Sequence, residues 1–185
     1  MTILHIDSSI NGDNSASRAI SAHIAGTVAR AEPNAKMVRR DLAAEPLPHL
    51  TLEALADSTV LDEFLDADTV IIGAPMYNFT LPTQLKAWID RILIAGRTFR
   101  YTANGPEGLA GGKRVIVALT RGGFYGEGAP AALEHLESYL RGAFGFIGIV
   151  PEFVIADGLA VSPEQREASI AGAIQAVGET VRLAA

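Results

Sequence analysis

The chain has 185 residues, of which 49% are hydrophobic and 19% charged, so its composition is that of a globular protein and we predict a single domain over residues 1–185. It contains no cysteine, which excludes disulfides, thiolate catalysis and cysteine-ligated metal centres. The net charge of −6 without a basic stripe argues against nucleic acid as a partner, and the absence of a signal sequence or a long apolar run predicts a cytoplasmic protein with no membrane association.

The first part of the chain alternates apolar runs with amphipathic segments. Residues 3–6 form an apolar run that predicts a strand, and a polar, glycine-containing loop follows. Residues 18–30 carry isoleucine or valine at three positions spaced by four, which predicts a helix, and residues 35–38 can form a second strand. Residues 45–50 contain two prolines and predict a loop, and residues 52–65 have a weaker helical pattern.

The second part of the chain repeats this alternation. Residues 69–74 are apolar at both odd and even positions, which is typical of a strand buried on both faces. Pro82 predicts the start of the next helix. Residues 96–112 are predicted to form a long glycine-containing loop. The elements predicted after this loop are a strand at residues 114–119, a helix at 130–144, a strand at 151–156 and a helix from Pro163 to near the C-terminus.

The alternation of five strands with helices predicts the fold. It favours a parallel sheet with helices on both faces, that is, a three-layer α/β sandwich. Short crossovers suit the flavodoxin-like strand order 2-1-3-4-5. Ligands of such sheets bind outside the carboxyl ends of the strands, where the strand order reverses. We therefore expect the functional site on the loops after the first, third and fourth strands.

The loop after the first strand has serines at both ends. Ser9 begins it, and Ser15 and Ser17 flank Ala16 where the next helix starts. A helix N-terminus with hydroxyl donors can bind a phosphate, and the absence of glycine-rich dinucleotide and triphosphate motifs favours a monophosphate. Ser15 or Ser17 can equally be a simple helix cap, so on this loop alone both interpretations stay open.

The loops after the third and fourth strands suit a flat ring with a polar edge. The loop after the third strand supplies apolar side chains and an amide, in Met76, Tyr77, Asn78 and Phe79. Apolar walls with a few polar groups can hold such a ring, and a buried hydrophobic plug is the alternative. The loop after the fourth strand consists of Thr120, Arg121, Gly122 and Gly123. Paired glycines let a backbone approach a ligand closely, although an ordinary tight turn has the same composition.

Several segments resemble the FMN-dependent NADH azoreductase family, whose members are also described as quinone reductases. The specific ones are Pro75-Met-Tyr-Asn-Phe79 and Phe99-Arg-Tyr-Thr102, and the serine loop and Arg121-Gly-Gly123 agree with them. The resemblance covers nearly the whole chain. It implies a homodimer with one FMN per subunit, NADH or NADPH as electron donor, and quinones or aromatic azo compounds as acceptors, reduced by two electrons in a ping-pong reaction.

The resemblance also implies a role for each loop. The residues expected at the FMN phosphate and its neighbourhood are Ser9, Ser15, Ala16 and Ser17. Those expected against the flavin ring are Met76, Tyr77, Asn78 and Phe79 on one side and Thr120, Arg121, Gly122 and Gly123 at the other edge. The aromatic wall of the substrate pocket is expected to consist of Phe79, Tyr101 and Phe146. Because the flavin carries the hydride chemistry, no catalytic side chain is predicted.

Two features of this chain depart from the family pattern. The connection from Pro46 to Val60 is shorter than in longer members, where this region helps to cover the pocket, so we expect an effect on substrate preference. Thr120 stands where the family has a serine, and the hydroxyl group is kept.

Three other functions share parts of this pattern. A one-electron flavodoxin-type carrier would have the same fold and FMN, but it needs no aromatic segment such as residues 99–109 beside the ring. A phospho-acceptor receiver domain needs an aspartate at the end of the third strand, where this chain has residues 73–75, Gly-Ala-Pro. An NAD(P)H-dependent flavin reductase would release its reduced FMN. No metal site is predicted, because the four histidines lack the spacing typical of ligands.

Overall fold

The apolar runs of the sequence form one parallel sheet. The structure is a computed structural model that describes residues 1–126 and 128–182, with only the backbone of Ala129 and residues 179–182. The strands of the sheet are β1 (Thr2–Asp7), β2 (Lys36–Asp41), β3 (Thr69–Pro75), β6 (Arg114–Thr120) and β7 (Glu152–Ala156), in the spatial order β2-β1-β3-β6-β7. The predicted domain also includes Glu127 and residues 183–185, which lie outside the described residues.

Helices cover both faces of the sheet. They are α1 (Ala16–Ala31), α2 (Leu52–Ala56), α3 (Thr59–Asp66), α4 (Thr83–Ile92), α5 (Glu137–Phe146) and α6 (Pro163–Arg182). On one face, the predicted stripe of α1 packs with Ala173 and Val177 of α6 against the sheet. On the other face, Phe64 of α3 and Trp88 of α4 meet edge to face at 5.8 Å in the larger core. The predicted three-layer α/β class is confirmed.

The predicted loop 96–112 is wrong in part, because it contains a β-hairpin. Strands β4 (Phe99–Thr102) and β5 (Gly105–Gly108) pair antiparallel as a separate two-stranded sheet. The predicted order 2-1-3-4-5 therefore becomes 2-1-3-6-7 when every strand is numbered. Each strand has four residues, and Gly-Pro-Glu-Gly has little strand propensity, so the local signal is weak. An exposed ion pair of Arg100 with Glu107, at 2.8 Å, lies across the two strands.

Two predicted helices are each divided by a polar break. The predicted helix 52–65 consists of α2 and α3, and between them the carboxylate of Asp57 accepts a hydrogen bond from the amide of Thr59 at 2.9 Å. The predicted helix 130–144 is a short 3-10 helix, Ala129–Leu133, followed by α5. There the Glu134 carboxylate accepts from the amides of Leu136 and Glu137 at 3.1 and 2.8 Å. Side-chain bonds to backbone amides favour such ends over a continuous helix.

The register of the sheet brings the predicted loops to one edge. Asp7 at the end of β1 lies beside Gly73 of β3, and Pro75 at the end of β3 lies beside Thr120 of β6. The chain therefore leaves the three central strands at neighbouring points. Among the helices of the described residues, none combines the length and hydropathy needed to cross a lipid bilayer.

Candidate functional site

A cavity of about 220 Å³ lies at the carboxyl ends of β1, β3 and β6. The predicted residues that line it are Ser9, Ser15, Ala16, Met76, Tyr77, Thr120, Arg121 and Gly122. Residues that sequence reasoning missed also line it, namely Asn11, Pro75, Leu159, Ala160 and Arg166. The three predicted loops thus meet around one space. The loop after β7 joins them, because its strand ends at the same edge.

The serine end of the cavity is formed by the N-terminus of α1. Ser15 is the N-cap, and its hydroxyl accepts a hydrogen bond from the amide of Arg18 at 3.3 Å. Ser17 is buried behind it, with the two hydroxyl oxygens 3.1 Å apart. The hydroxyl of Ser9 lies 3.1 Å from that of Tyr77, which also lines the cavity. Ser15 is therefore a helix cap that also faces the cavity, so the two interpretations of this loop do not exclude each other.

Charged side chains lie beneath the serine loop and fix its shape. The guanidinium of Arg18 donates two hydrogen bonds to the carboxylate of Asp41, at 2.6 and 2.7 Å. It also donates to the carbonyl oxygen of Ser9, at 2.8 and 3.2 Å. Asp7, which is only 1% exposed, lies 3.6 Å from the same guanidinium. Arg18 is thus occupied in holding the loop, and its charge is balanced by carboxylates.

Both carboxylates of this network are stabilised in the charged form. Burial raises the pKa of Asp7, but hydrogen bonds from His5, Arg39 and Ser21 outweigh this effect and leave the pKa below its ordinary value. Hydrogen bonds from Arg18 lower the pKa of Asp41 to about 2, from an ordinary 3.8. A lowered carboxylate pKa stabilises the folded state above the unfolded-state pKa, and this stabilisation is lost as the pH falls through the folded-state value.

We expect Asp41→Asn to lower the free energy of unfolding by about 1–2 kcal/mol at pH 7, because the pair with Arg18 is three-quarters buried but still partly screened by water. Asparagine keeps an oxygen for the amides of Ala43 and Ala44, so mainly the charge is lost. Urea unfolding followed by Trp88 fluorescence should show that the difference in free energy of unfolding between the wild type and Asp41→Asn becomes smaller between pH 4 and pH 2. Asp62→Asn, in a half-exposed pair with Arg97, is the matched control. A deficit that stays constant down to pH 2 would contradict this assignment.

The loop after β3 turns sharply. Asn78 and Phe79 have positive φ angles of 46° and 72°, and Tyr77 and Thr80 exchange backbone hydrogen bonds at 2.9 and 3.1 Å. Two positive φ angles in succession are typical of a type I′ turn, in which glycine is the preferred second residue. Asn78 is exposed and the Phe79 side chain is 42% exposed, so a buried plug does not describe these two residues. Met76, in contrast, packs partly against the core.

The loop after β6 offers its backbone rather than its arginine to the cavity. The Arg121 side chain, only 3% exposed, donates to the carboxylate of Asp157 at 2.6 and 3.1 Å. It also lies 3.7 Å from each of the carboxylates of Glu134 and Glu137. The guanidinium is therefore buried and paired with these carboxylates. We expect any contact of Arg121 with a ligand to be made by its main-chain atoms.

The two glycines of this loop are paired with the loop after β7. The carbonyl of Gly122 accepts from the amide of Ala160 at 2.9 Å, and that of Gly123 accepts from Gly158 at 3.1 Å. An isolated tight turn therefore does not describe them. Gly123 lines a neighbouring, more open cavity with apolar walls, together with Phe124, Tyr125, Pro130 and Leu133.

The predicted aromatic wall is divided into two groups. Tyr101 and Phe146 each pack against Phe99, with ring centres 5.7 and 4.6 Å apart. Phe79 packs edge to face on Tyr125 at 6.2 Å. Among the residues that the structure describes, no ring contact joins Phe79 to Tyr101 or Phe146. Within one chain, Phe79 therefore belongs to one group of ring contacts, and Tyr101 and Phe146 belong to another; their common place in a substrate pocket stays a prediction.

The hairpin that carries Tyr101 is seated on the end of α5. The amide of Ala110, just after β5, donates to the carbonyl of Ile147 at 3.0 Å. Gly108 approaches Gly148 so closely that a methyl group at Gly108 would lie 2.2 Å from the Gly148 nitrogen. Only glycine allows this approach, and it sets the position of the hairpin relative to the sheet.

Within residues 1–126 and 128–182, no group of three or more histidine, aspartate or glutamate side chains is arranged to hold a metal ion.

Comparison with known proteins agrees with the observed fold. A family model described as having a flavodoxin-like fold matches residues 1–181. The chain belongs to this flavodoxin-like family. Its relatives include the FMN-dependent NADH:quinone oxidoreductase 2 of Bradyrhizobium diazoefficiens, which is 56% identical over 195 residues, covering 95% of this chain and 96% of the relative.

Solved structures of the flavodoxin-like family match nearly the whole chain. The crystal structure of azoreductase AzrA has a TM-score of 0.90 at 30% identity and covers 97% of this chain and 98% of its own. An FMN-dependent NADH-azoreductase from Bacillus anthracis, solved in complex with FMN, has a TM-score of 0.83 at 26% identity, with coverage of 97% and 98%.

The relatives are longer than this flavodoxin-like chain. The alignment with the Bradyrhizobium protein extends over 195 positions, although this chain has only 185 residues, so the relative carries residues without a counterpart here. The predicted shortening of the connection between Pro46 and Val60 agrees with this difference in length. That the missing residues belong to this connection stays a prediction. In the structure this connection contains the five-residue α2, and Leu50, Leu52 and Leu55 are exposed.

Proposed function

We propose that this chain is an FMN-dependent NADH:quinone oxidoreductase. The observation that carries the proposal is that a helix N-terminus with serine hydroxyls and the ends of two central strands converge on one cavity. The two ends of this cavity match the two ends of FMN, since one offers donors for a phosphate and the other offers apolar walls with main-chain polar groups. Relatives at more than 50% identity carry this activity in their names.

Each loop would have a separate task in the proposed enzyme. Ser9, Ser15 and the first amides of α1 would hold the phosphate, with Ala16 and the buried Ser17 shaping this end. Residues 76–79 would lie along the ring, and the backbone of residues 120–123 would meet its other edge. Bound FMN would supply the two-electron chemistry, with a hydride from the nicotinamide as the source of electrons. The protein would orient the ring, exclude water and leave one face open for donor and acceptor in turn.

The finer parts of the proposal come from the family resemblance. We propose quinones as the acceptors, with azo compounds reduced at the same face, and a homodimer with one FMN per subunit. A partner subunit could complete the aromatic wall that one chain leaves divided between Phe79 and the Tyr101–Phe146 group. NADPH as an alternative donor, one domain over the whole chain and a cytoplasmic location stay predictions.

Steady-state kinetics test the proposed function. FMN-loaded protein should oxidise NADH in the presence of a quinone, and double-reciprocal plots at several quinone concentrations should give parallel lines, because donor and acceptor share one face. A flavodoxin-type carrier would show no turnover with NADH and quinone. A flavin reductase would show turnover that depends on free FMN in the assay. Either of these two results would contradict the proposal.

Phe79 provides a test of the turn after β3. Alanine keeps the unfavourable positive φ and loses the ring, whereas glycine relieves the backbone, so we expect Phe79→Gly to be more stable than Phe79→Ala by about 1 kcal/mol. Both should lower kcat/KM for a quinone by about three- to tenfold, because the exposed ring is lost. Urea unfolding and quinone kinetics on the two variants check this. Equal stability of the two variants would show that Phe79 is not strained.

A further inference from the structure

Arg166 is a cationic side chain on the wall of the cavity. It lies in the first turns of α6 and lines the same space as Ser9 and Ser15. Its Nη2 atom donates to the carbonyl oxygen of Asn14 at 2.5 Å, next to the N-cap of α1. This bond holds the guanidinium beside the serine loop, although residues 14 and 166 are far apart in the sequence.

Arg166 differs from the other arginines near the site in its partners. Arg18 is paired with Asp41, and Arg121 is paired with Asp157. Within the described part of the chain, Arg166 forms no ion pair, and its hydrogen-bond partner is a neutral carbonyl. Among the described residues, no carboxylate lies within ion-pair distance of this guanidinium, so its positive charge at the serine end of the cavity is not directly paired.

A positive charge at this end of the cavity would complement the charge of a phosphate monoester. Such a monoester carries about −1.5 to −2 at pH 7, while the whole chain carries −6. The serine hydroxyls are neutral donors, and a helix N-terminus supplies about half a positive charge. A guanidinium can add charge-assisted hydrogen bonds to phosphate oxygens, and these are stronger than bonds from neutral donors.

From these observations we propose that Arg166 binds the phosphate of the flavin and so selects FMN over the unphosphorylated riboflavin. The inference rests on the proposed function and assigns to α6 a part in cofactor recognition. The serine loop and α6 then form two sides of the phosphate site, one with neutral donors and one with a cation.

Flavin binding tests this assignment. Flavin-free protein is titrated with FMN and with riboflavin, and binding is followed by quenching of flavin fluorescence. We expect Arg166→Met to weaken FMN binding by about tenfold at low salt and to leave riboflavin binding within about twofold of the wild type. Added NaCl should weaken FMN binding more in the wild type than in the variant. Arg166→Lys, which keeps the charge, should retain most of the preference.

Controls separate this role from its alternatives. Arg97→Met removes an arginine that does not line the cavity, and it should leave both flavins bound as in the wild type. Equal losses for FMN and riboflavin in Arg166→Met would mean that Arg166 only supports the loop through Asn14, and would overturn the proposal. A raised KM for NADH with unchanged FMN binding would assign the charge to the pyrophosphate of the donor, which also overturns it. If the wild type binds neither flavin, the proposed function itself fails.

Discussion

Replacing Gly108 with alanine is expected to destabilise the protein by about 3 kcal/mol, or to displace hairpin β4–β5 from its seat. The added methyl group would lie 2.2 Å from the nitrogen of Gly148 and from the carbonyl carbon of Ile147. Both are backbone atoms, so no side-chain rotation relieves the clash. Because the hairpin carries Tyr101, a displaced hairpin should raise the KM for a quinone while FMN binding is retained.

Gly142→Ala is the matched control for Gly108→Ala. Gly142 lies within α5, and apart from its chain neighbours and the backbone of its own helix no atom lies within 4 Å of a methyl group placed there. Alanine is the better helix former, so this control should be more stable than the wild type by about 0.5–1 kcal/mol. Urea unfolding monitored by the fluorescence of Trp88 measures both variants. Wild-type stability and wild-type quinone kinetics in Gly108→Ala would mean that the hairpin does not approach α5 as closely as described.

Replacing Arg121 with methionine is expected to cost about 3 kcal/mol, because it leaves the carboxylates of Asp157 and Glu134 without their cation, while Glu137 keeps its pair with Arg141. The guanidinium is buried and reaches Asp157, Glu134 and Glu137. Removing it leaves negative charges close together in a poorly solvated place. Since these contacts join the loop after β6 to α5 and to the loop after β7, FMN binding should weaken as well.

Two further variants define the role of Arg121. Arg121→Lys keeps the charge without the planar fork, so we expect a smaller loss than with methionine. Arg97→Met removes one partner of a half-exposed pair and should cost less than 1 kcal/mol. Urea unfolding at pH 7 compares the three. If Arg121→Met is no less stable than Arg97→Met, the carboxylate cluster does not depend on Arg121.

The sheet and its functional edge could be predicted from the sequence because the responsible signals are local. Residues 69–74 and 114–119 are apolar at both odd and even positions, as is expected for strands that are buried on both faces of a parallel sheet. The positions of the loops after β1, β3 and β6 then follow from the topology alone. The hairpin β4–β5 escaped prediction because its stability comes from contacts distant in sequence, such as that of Gly108 with Gly148.

The candidate site was predicted only in part, for a similar reason. Met76 and Tyr77 follow a clear strand, so their place at the edge could be derived, while their proposed contact with a flavin came from the family resemblance. Arg166 lies in a helix with no local motif, and only the fold brings it to Asn14. The sequence also contains nothing to show that the guanidinium of Arg121 pairs with carboxylates while its backbone lines the cavity, because these partners come from other segments of the chain.

An anaerobic absorbance titration tests the central claim most directly. The protein is loaded with FMN, freed of excess cofactor, and treated first with NADH and then with a quinone. A retained flavin band that bleaches with NADH and returns with the quinone is the result we predict. A protein that retains no FMN, or a bound flavin that NADH leaves oxidised, would contradict the assignment of the strand-end cavity as a flavin redox site.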